Sequence, residues 1–136
     1  MIVHGTADRH IPIAGGAGKL AKWGFNVHAK PLDWSVNFWV KADGCSSEPE
    51  TVKDGAVTRR TYAGGRNDSE VVLYLLDGYA HSWPGGTRAW WFADTPSPDL
   101  SATDTCWDFF SRHSKGVEGV AAAKQTQVEH AQRPGG

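Results

Sequence analysis

The stretch that most constrains the fold is EVVLYLLD, at residues 70–77. The run is continuous, apolar and rich in branched side chains. It therefore predicts a strand covered on both faces rather than one with a solvent-exposed face. A strand of this kind needs packing partners above and below it. The chain must therefore build a layered structure around residues 70–77.

The remaining segments alternate around this strand. Residues 1–4 form a short apolar strand, and apolar side chains at helical spacing predict a helix over 34–43, WSVNFWVKAD. Asp33 or Ser35 is available as its N-cap, and Gly44 suits a left-handed stop. Residues 56–63 alternate like a half-exposed strand, and the connections are predicted as loop at 5–32, 45–55 and 64–69. The order strand, helix, strand, strand, helix predicts an α/β fold.

Residues 101–113, SATDTCWDFFSRH, predict the second helix of this order. Ser101 is the expected cap, Asp104 completes a start that resembles a capping box, and the expected inner face is Ala102, Cys106, Phe109 and Phe110. Residues 114–136 are polar and end in RPGG, which predicts a disordered tail. The predicted organisation is one domain over 1–113 followed by this tail.

Composition excludes several classes of partner. The formal net charge is −1 and no basic run occurs, so we expect no nucleic-acid partner. No apolar stretch approaches the roughly 20 residues that cross a bilayer, so we expect no membrane span. The first residues, MIVHGTADRH, lack the basic and long apolar regions of a signal peptide. Seven tryptophans among 136 residues favour an aromatic-lined ligand site.

Two loops carry side chains suited to acid–base chemistry. HGTADRHIP follows the first strand and contains Asp8, whereas GYAHSWPGG follows residues 70–77 and contains His81. In α/β sheets, active groups lie just past the carboxyl ends of strands. A carboxylate that accepts a hydrogen bond from one ring nitrogen of a histidine leaves the other nitrogen free to act as a general base. The alternative is an aspartate that caps its own turn beside an unrelated, exposed histidine.

Neighbouring side chains leave further alternatives open. Trp83 either walls a pocket or packs over the sheet edge, and Ser82 is expected to be a hydrogen-bonding turn residue. His4, Asp8 and His10 are of metal-ligand type, but alternation along an extended segment would face them differently. A metal site is therefore the weaker interpretation, and we expect no metal.

Several sequence blocks occur together in a fixed order. They are HGTAD, SVNFWVKADGC, TYAGGRNDSEVVLYLLDGYAHSWPGG and SATDTCWDFFSRH. From about residue 2 to residue 113 they resemble the C-terminal part of esterases related to polyhydroxybutyrate depolymerases and feruloyl esterases, which have the α/β-hydrolase fold.

This resemblance implies the C-terminal half of an α/β-hydrolase sheet, with an incomplete three-layer architecture. Asp8 and His81 would be members of a serine-hydrolase triad. Trp83, two residues past His81, is the candidate for contact with substrate. The implied activity is hydrolysis of small or polymeric carboxylic esters without a cofactor. The family is typically extracellular, whereas the sequence assigns no location to this chain.

One departure concerns the nucleophile. The elbow motif G-x-S-x-G occurs nowhere in the chain; residues 44–48, GCSSE, begin like it but lack the last glycine and a preceding strand. The resemblance therefore implies a partial hydrolase, and we expect the isolated chain to have little esterase activity. Open strand edges and exposed apolar faces lead us to expect self-association or marginal stability.

A second departure concerns cysteine. The resemblance implies a disulfide between Cys45 and position 65, but Gly65 stands there, so Cys45 is expected to be a free thiol. Cys106 is expected to be a buried, inert thiol of the second helix.

The alternative to a partial esterase is a non-catalytic, tryptophan-lined module that binds carbohydrate or aromatic ligands, which the tryptophan count favours.

Overall fold

The computed structural model of the chain describes residues 1–19, 21, 24 and 28–113, and contains a four-stranded mixed sheet and two main helices. The elements are β1 (Ile2–Gly5), β2 (Gly16–Ala17), β3 (His28–Ala29), α1 (Leu32–Asp43), β4 (Glu50–Asp54), β5 (Val57–Tyr62), β6 (Val71–Leu76) and α2 (Ala102–Arg112). The large sheet has the order β1-β6-β5-β4, and β2 and β3 form a separate two-stranded sheet. The α/β class predicted from the sequence is confirmed at this level.

Strand β6 lies inside the large sheet, as its sequence predicts. It pairs parallel with β1 and antiparallel with β5. Four of its side chains are at most 3% exposed: Val71, Val72, Leu73 and Leu76. Neighbours on both sides and burial on both faces explain why the run is continuously apolar instead of alternating.

The main core lies between β6 and α1. Helix α1 buries Leu32, Val36 and Val40, which recur every four residues along one face. They form a cluster with Tyr62, Val71 and Leu73. Across the sheet, Val3 and Leu76 line a cavity with residues of α2. The sheet therefore has helical neighbours on both of its faces near β1 and β6.

The start of α1 differs from the prediction. The helix begins at Leu32 after Pro31, and neither Asp33 nor Ser35 caps it with a side chain. Both residues lie in the first turn, where the Asp33 carboxylate faces the positive end of the helix dipole. The predicted stop is confirmed, because Gly44 adopts the left-handed conformation with φ 73°.

Helix α2 begins as predicted. The Ser101 hydroxyl accepts a hydrogen bond from the Asp104 N–H at 3.4 Å. Its predicted inner face is confirmed for Ala102 and Phe109, which are buried, but is wrong for Phe110, which is 62% exposed. Phe110 follows Phe109 directly, and one residue along a helix turns the side chain by about 100°.

The prediction of a loop over residues 45–55 is wrong in part, because Glu50–Asp54 forms β4. All five β4 residues are exposed at the sheet edge, so the strand has no apolar alternation to reveal it. A two-residue connection joins β4 to β5, and Gly55 in it has φ 54°. Gly55, the first of the two connecting residues, was the available hairpin signal.

Strand β1 has a neighbour on one side only among the described strands. An open edge exposes backbone donors and acceptors, and self-association through it stays a prediction. The predicted disordered tail, 114–136, lies outside the described residues. In the part of the chain that is described, neither helix combines the length and apolarity that a membrane span requires.

The burial of β6 makes a stability prediction. Leu73 is 1% exposed, so Leu73→Ala should lower the free energy of unfolding by about 2–5 kcal/mol through lost burial and the cavity left behind. Val52→Ala is the matched control, because Val52 lies on β4 and is 43% exposed; its effect should stay near 0.5 kcal/mol. Urea denaturation measures both. Equal losses in the two variants would contradict the central place given to β6.

Candidate functional site

The site is built by two loops that leave the same edge of the sheet. Parallel pairing places Gly5, at the end of β1, opposite Leu76, at the end of β6. Beyond the strands, Thr6 N–H donates to the Leu76 carbonyl at 2.9 Å and Ala7 N–H to the Tyr79 carbonyl at 2.8 Å. These hydrogen bonds extend the strand pairing into the loops and fix their relative position.

Side chains close the same junction. The Thr6 hydroxyl donates to Asp77 Oδ1 at 3.1 Å and accepts from Gly78 N–H at 2.8 Å. Gly5 permits the close approach, because a Cβ there would collide with the backbone carbonyls of Tyr79 and Ala80. The two loops thus meet with almost no freedom to slide.

Asp8 and His81 meet at this junction, as the sequence predicts. His81 Nδ1 lies 2.8 Å from Asp8 Oδ2. The Asp8 side chain is 5% exposed, whereas that of His81 is 52% exposed. The buried group is therefore the carboxylate, and the imidazole stands between it and solvent.

The alternative interpretation, in which Asp8 caps its own turn, is also correct: Oδ2 contacts His81, and Oδ1 makes the cap. Asp8 Oδ1 accepts the N–H groups of His10 at 2.7 Å and Ile11 at 2.9 Å. The two interpretations looked exclusive from the sequence, but a carboxylate has two oxygens. One organises its own loop, and the other reaches the histidine of the second loop.

The hydrogen bonds decide the charge state of Asp8. Burial alone raises the pKa of the Asp8 carboxyl. The N–H of Ile11, the ring of His81 and the N–H of His10 together lower this pKa by more than burial raises it. The pKa therefore lies below its ordinary value. An ionised Asp8 can only accept hydrogen bonds, so the ring nitrogen that faces it must carry a hydrogen. A neutral His81 must then carry its hydrogen on Nδ1, which leaves the Nε2 lone pair available. Among the described residues, Nε2 has no hydrogen-bond partner.

His81 borders a cavity of about 600 Å³ between β1, the two loops and α2. Its walls are mostly apolar, and include Val3, Leu76 and Pro84. Trp83 also lines this cavity, is 58% exposed, and donates its indole N–H to Thr103 Oγ1 at 3.1 Å. Helix α2 therefore anchors the ring, which favours the pocket-wall interpretation over packing at the sheet edge.

The other predicted residues turn to different partners. The Ser82 hydroxyl donates to the Thr95 carbonyl at 3.2 Å, as a turn residue would. His4 Nε2 lies 3.0 Å from the Ile11 carbonyl, and His10 Nε2 lies 3.8 Å from Asp94 Oδ2. His4, Asp8 and His10 therefore do not converge, and the described residues contain no group of three His, Cys, Asp or Glu suited to a metal.

Both cysteines are free thiols. Cys45 lies beside Gly65, because a Cβ on Gly65 would lie 2.7 Å from its sulfur. Cys106 is only half-buried and lines the cavity, so the expectation of a fully buried thiol is wrong.

Sequence reasoning missed Asp94. Asp94 Oδ2 accepts the His81 N–H at 3.2 Å. This hydrogen bond joins the segment around Asp94 to the loop that carries His81. Asp94 lies thirteen residues from His81, in an aromatic segment whose apolar residues follow neither helical nor strand spacing. No local sequence motif marks it.

Comparison with known proteins adds no family to this geometry. No protein-family profile, curated protein or solved structure matches the chain.

The lowered pKa of Asp8 has a consequence for stability. A carboxyl with a depressed pKa in the folded state stabilises the fold above its unfolded pKa of about 3.9, and this stabilisation is lost as pH falls through the folded pKa. Below about pH 4, the unfolding free energy of the parent chain should therefore fall more steeply than that of Asp8→Asn.

Urea titrations between about pH 2 and 5 measure these slopes. Asp54→Asn, on the exposed strand β4, is the control and should keep the parent slope. A parent and an Asp8→Asn variant with the same slope would contradict a native carboxylate held by hydrogen bonds.

Proposed function

We propose that this chain supplies the acid–base part of a serine carboxylic-ester hydrolase of the depolymerase and feruloyl esterase type. In this proposal the sheet is the C-terminal half of an α/β-hydrolase sheet. The observation that carries the proposal is the 2.8 Å contact between Asp8 and His81, made by loops at the carboxyl ends of two adjacent parallel strands. The ordered sequence blocks around both residues support it further.

Each residue has a defined task in the proposed reaction. Asp8 holds the Nδ1–H tautomer of His81 and stabilises the imidazolium that forms. His81 Nε2 takes the proton of a serine hydroxyl as its oxygen attacks the ester carbonyl, and then returns that proton to the departing alcohol. Water, activated by the same nitrogen, releases the acid from the serine. No cofactor takes part.

The serine is the part that this chain does not provide. The sequence contains no G-x-S-x-G elbow, and Ser82, the serine next to His81, is bonded to the Thr95 carbonyl. We therefore place the nucleophile on polypeptide outside these 136 residues. The outer edge of β1 is where a further parallel strand would extend the sheet, next to the cavity that His81 borders.

Trp83 and the apolar cavity are assigned to the acyl or aryl part of the ester. A cavity of about 600 Å³ with mostly apolar walls is in the size range of small-molecule sites. The polar Asp8–His81 pair at its border would place the ester carbonyl, and the remainder of the substrate would contact Trp83.

Reconstitution tests this function. The chain alone should show no serine-dependent hydrolysis of p-nitrophenyl acetate. Fused to a nucleophile-bearing N-terminal half of a depolymerase-type esterase, it should hydrolyse this ester, because all three groups are then present. Asp8→Ala and His81→Ala should each lower kcat/KM by about a thousandfold or more.

The matched controls are Asp54→Ala and His28→Ala, which change exposed residues on β4 and β3. Both should retain the activity of the fused protein. A soluble, folded fusion without activity would contradict the proposal, as would activity that survives His81→Ala.

A second function, the non-catalytic binding module, is favoured by one specific observation. Trp90, Trp91 and Phe92 are 66%, 85% and 68% exposed, and Trp90 and Phe92 stack with ring centroids 6.4 Å apart. Exposed aromatic clusters on soluble proteins frequently mark interaction sites. This cluster lies on the segment that Asp94 joins to His81.

Fluorescence titration tests the binding function. Xylan oligomers should change the tryptophan emission, and Trp91→Ala should weaken the binding by about fivefold or more, because an aromatic contact contributes about 1 kcal/mol. Trp107→Ala is the control, since Trp107 is 74% exposed but lies on α2. Unchanged emission at millimolar oligomer would contradict this second function.

A further inference from the structure

The loops of the candidate site carry a second carboxylate–imidazole pair beside the first. Asp94 Oδ2 lies 3.8 Å from His10 Nε2, and the same oxygen accepts the His81 N–H at 3.2 Å. The rings of His10 and His81 are neighbours, with centroids 5.2 Å apart and planes tilted by 35°. His10 is therefore in contact with the ring that the proposed function uses as its base.

The two pairs are connected in a reciprocal way. Asp8 accepts the backbone N–H of His10, from its own loop, and contacts the ring of His81, from the other loop. Asp94 accepts the backbone N–H of His81, from its own segment, and faces the ring of His10, from the other loop. Each carboxylate thus accepts the backbone N–H of one histidine and lies beside the ring of the other.

We propose that His10 and Asp94 are positioning residues that hold the His81 ring in its contact with Asp8. Neither residue needs to contact the substrate. Asp94 fixes the backbone of His81, and the ring of His10 closes one side of the space in which the His81 ring could rotate. The inference rests on the proposed role of His81 as a base, but it concerns ring orientation, which is measurable without any hydrolysis.

The surroundings of His10 are suited to this task. Its side chain is 28% exposed, so most of the ring is packed, whereas the His81 side chain is 52% exposed and has little other cover. The backbone before His10 is held as well, because Lys19 N–H donates to the Arg9 carbonyl at 2.7 Å. The less exposed ring of His10 is therefore the one that can restrict rotation of the more exposed ring of His81.

The test uses long-range ¹H–¹⁵N spectra of the histidine rings in the full ¹⁵N-labelled chain, at a pH where the imidazoles are neutral. His81→Gln identifies the His81 signals. In the parent chain the Nδ1–H tautomer of His81 should dominate. Asp94→Ala removes a hydrogen bond to the His81 backbone and His10→Ala removes a ring contact, so each should raise the minor tautomer by roughly two- to tenfold.

The double variant tests whether the two contacts with His81 add to one another. Asp94 acts on the backbone of His81 and His10 on its ring, so the double variant should raise the minor tautomer more than either single variant. Asp54→Ala and His28→Ala are the controls and should keep the parent ratio. Backbone amide signals of β5 and β6 report whether each variant retains the fold.

Asp94→Asn provides a variant of nearly the same shape if Asp94→Ala does not fold. It should raise the minor tautomer in the same direction but by a smaller factor. Single variants with the parent ratio would overturn the proposal, and so would a double variant that returns to the parent ratio. Because no ester is cleaved in this experiment, a failed reconstitution of activity would remain a separate result.

Discussion

The parallel pairing of β1 with β6 is the constraint on which the rest of this structure depends. Antiparallel neighbours would send their following loops to opposite edges of the sheet, whereas parallel neighbours send them to the same edge. Here that edge receives two loops from distant parts of the chain, and the register sets Gly5 opposite Leu76. Burial of β6 between two neighbours and two faces supplies the stability that holds this register.

At the edge, one carboxylate does most of the organising. Asp8 is nearly inaccessible to water, yet its oxygens receive two backbone N–H groups and one imidazole. Burial without these donors would neutralise the group and remove its hold on His81. The same contacts that fold the first loop therefore also keep it charged, so local structure and the electrostatics of the site have one cause.

The sequence predicted those features that follow from local rules. The central strand, the αL stop at Gly44 and the cap at Ser101 were all confirmed, because each depends on a few neighbouring side chains. Strand β4 was missed because an exposed edge strand is selected by backbone pairing and leaves no apolar pattern. The meeting of Asp8 and His81 was predicted from strand polarity together with the resemblance to a family.

Asp94 shows where sequence reasoning ended. Its place beside His81 is set by the path of an irregular segment that no periodicity describes. The same is true of His10, whose neighbours are known only once both loops are placed. Positions of this kind follow from tertiary packing and are not encoded in a short motif.

The neighbourhood of Cys45 has a consequence for the conditions in which the chain folds. Glycine occupies the position next to this sulfur, and both cysteines are thiols, so the contact between the end of α1 and the segment before β6 is entirely non-covalent. Formation of the fold then consumes no oxidant, and reductant breaks no bond in it. A glutathione-buffered medium and an oxidising one should support the same native state.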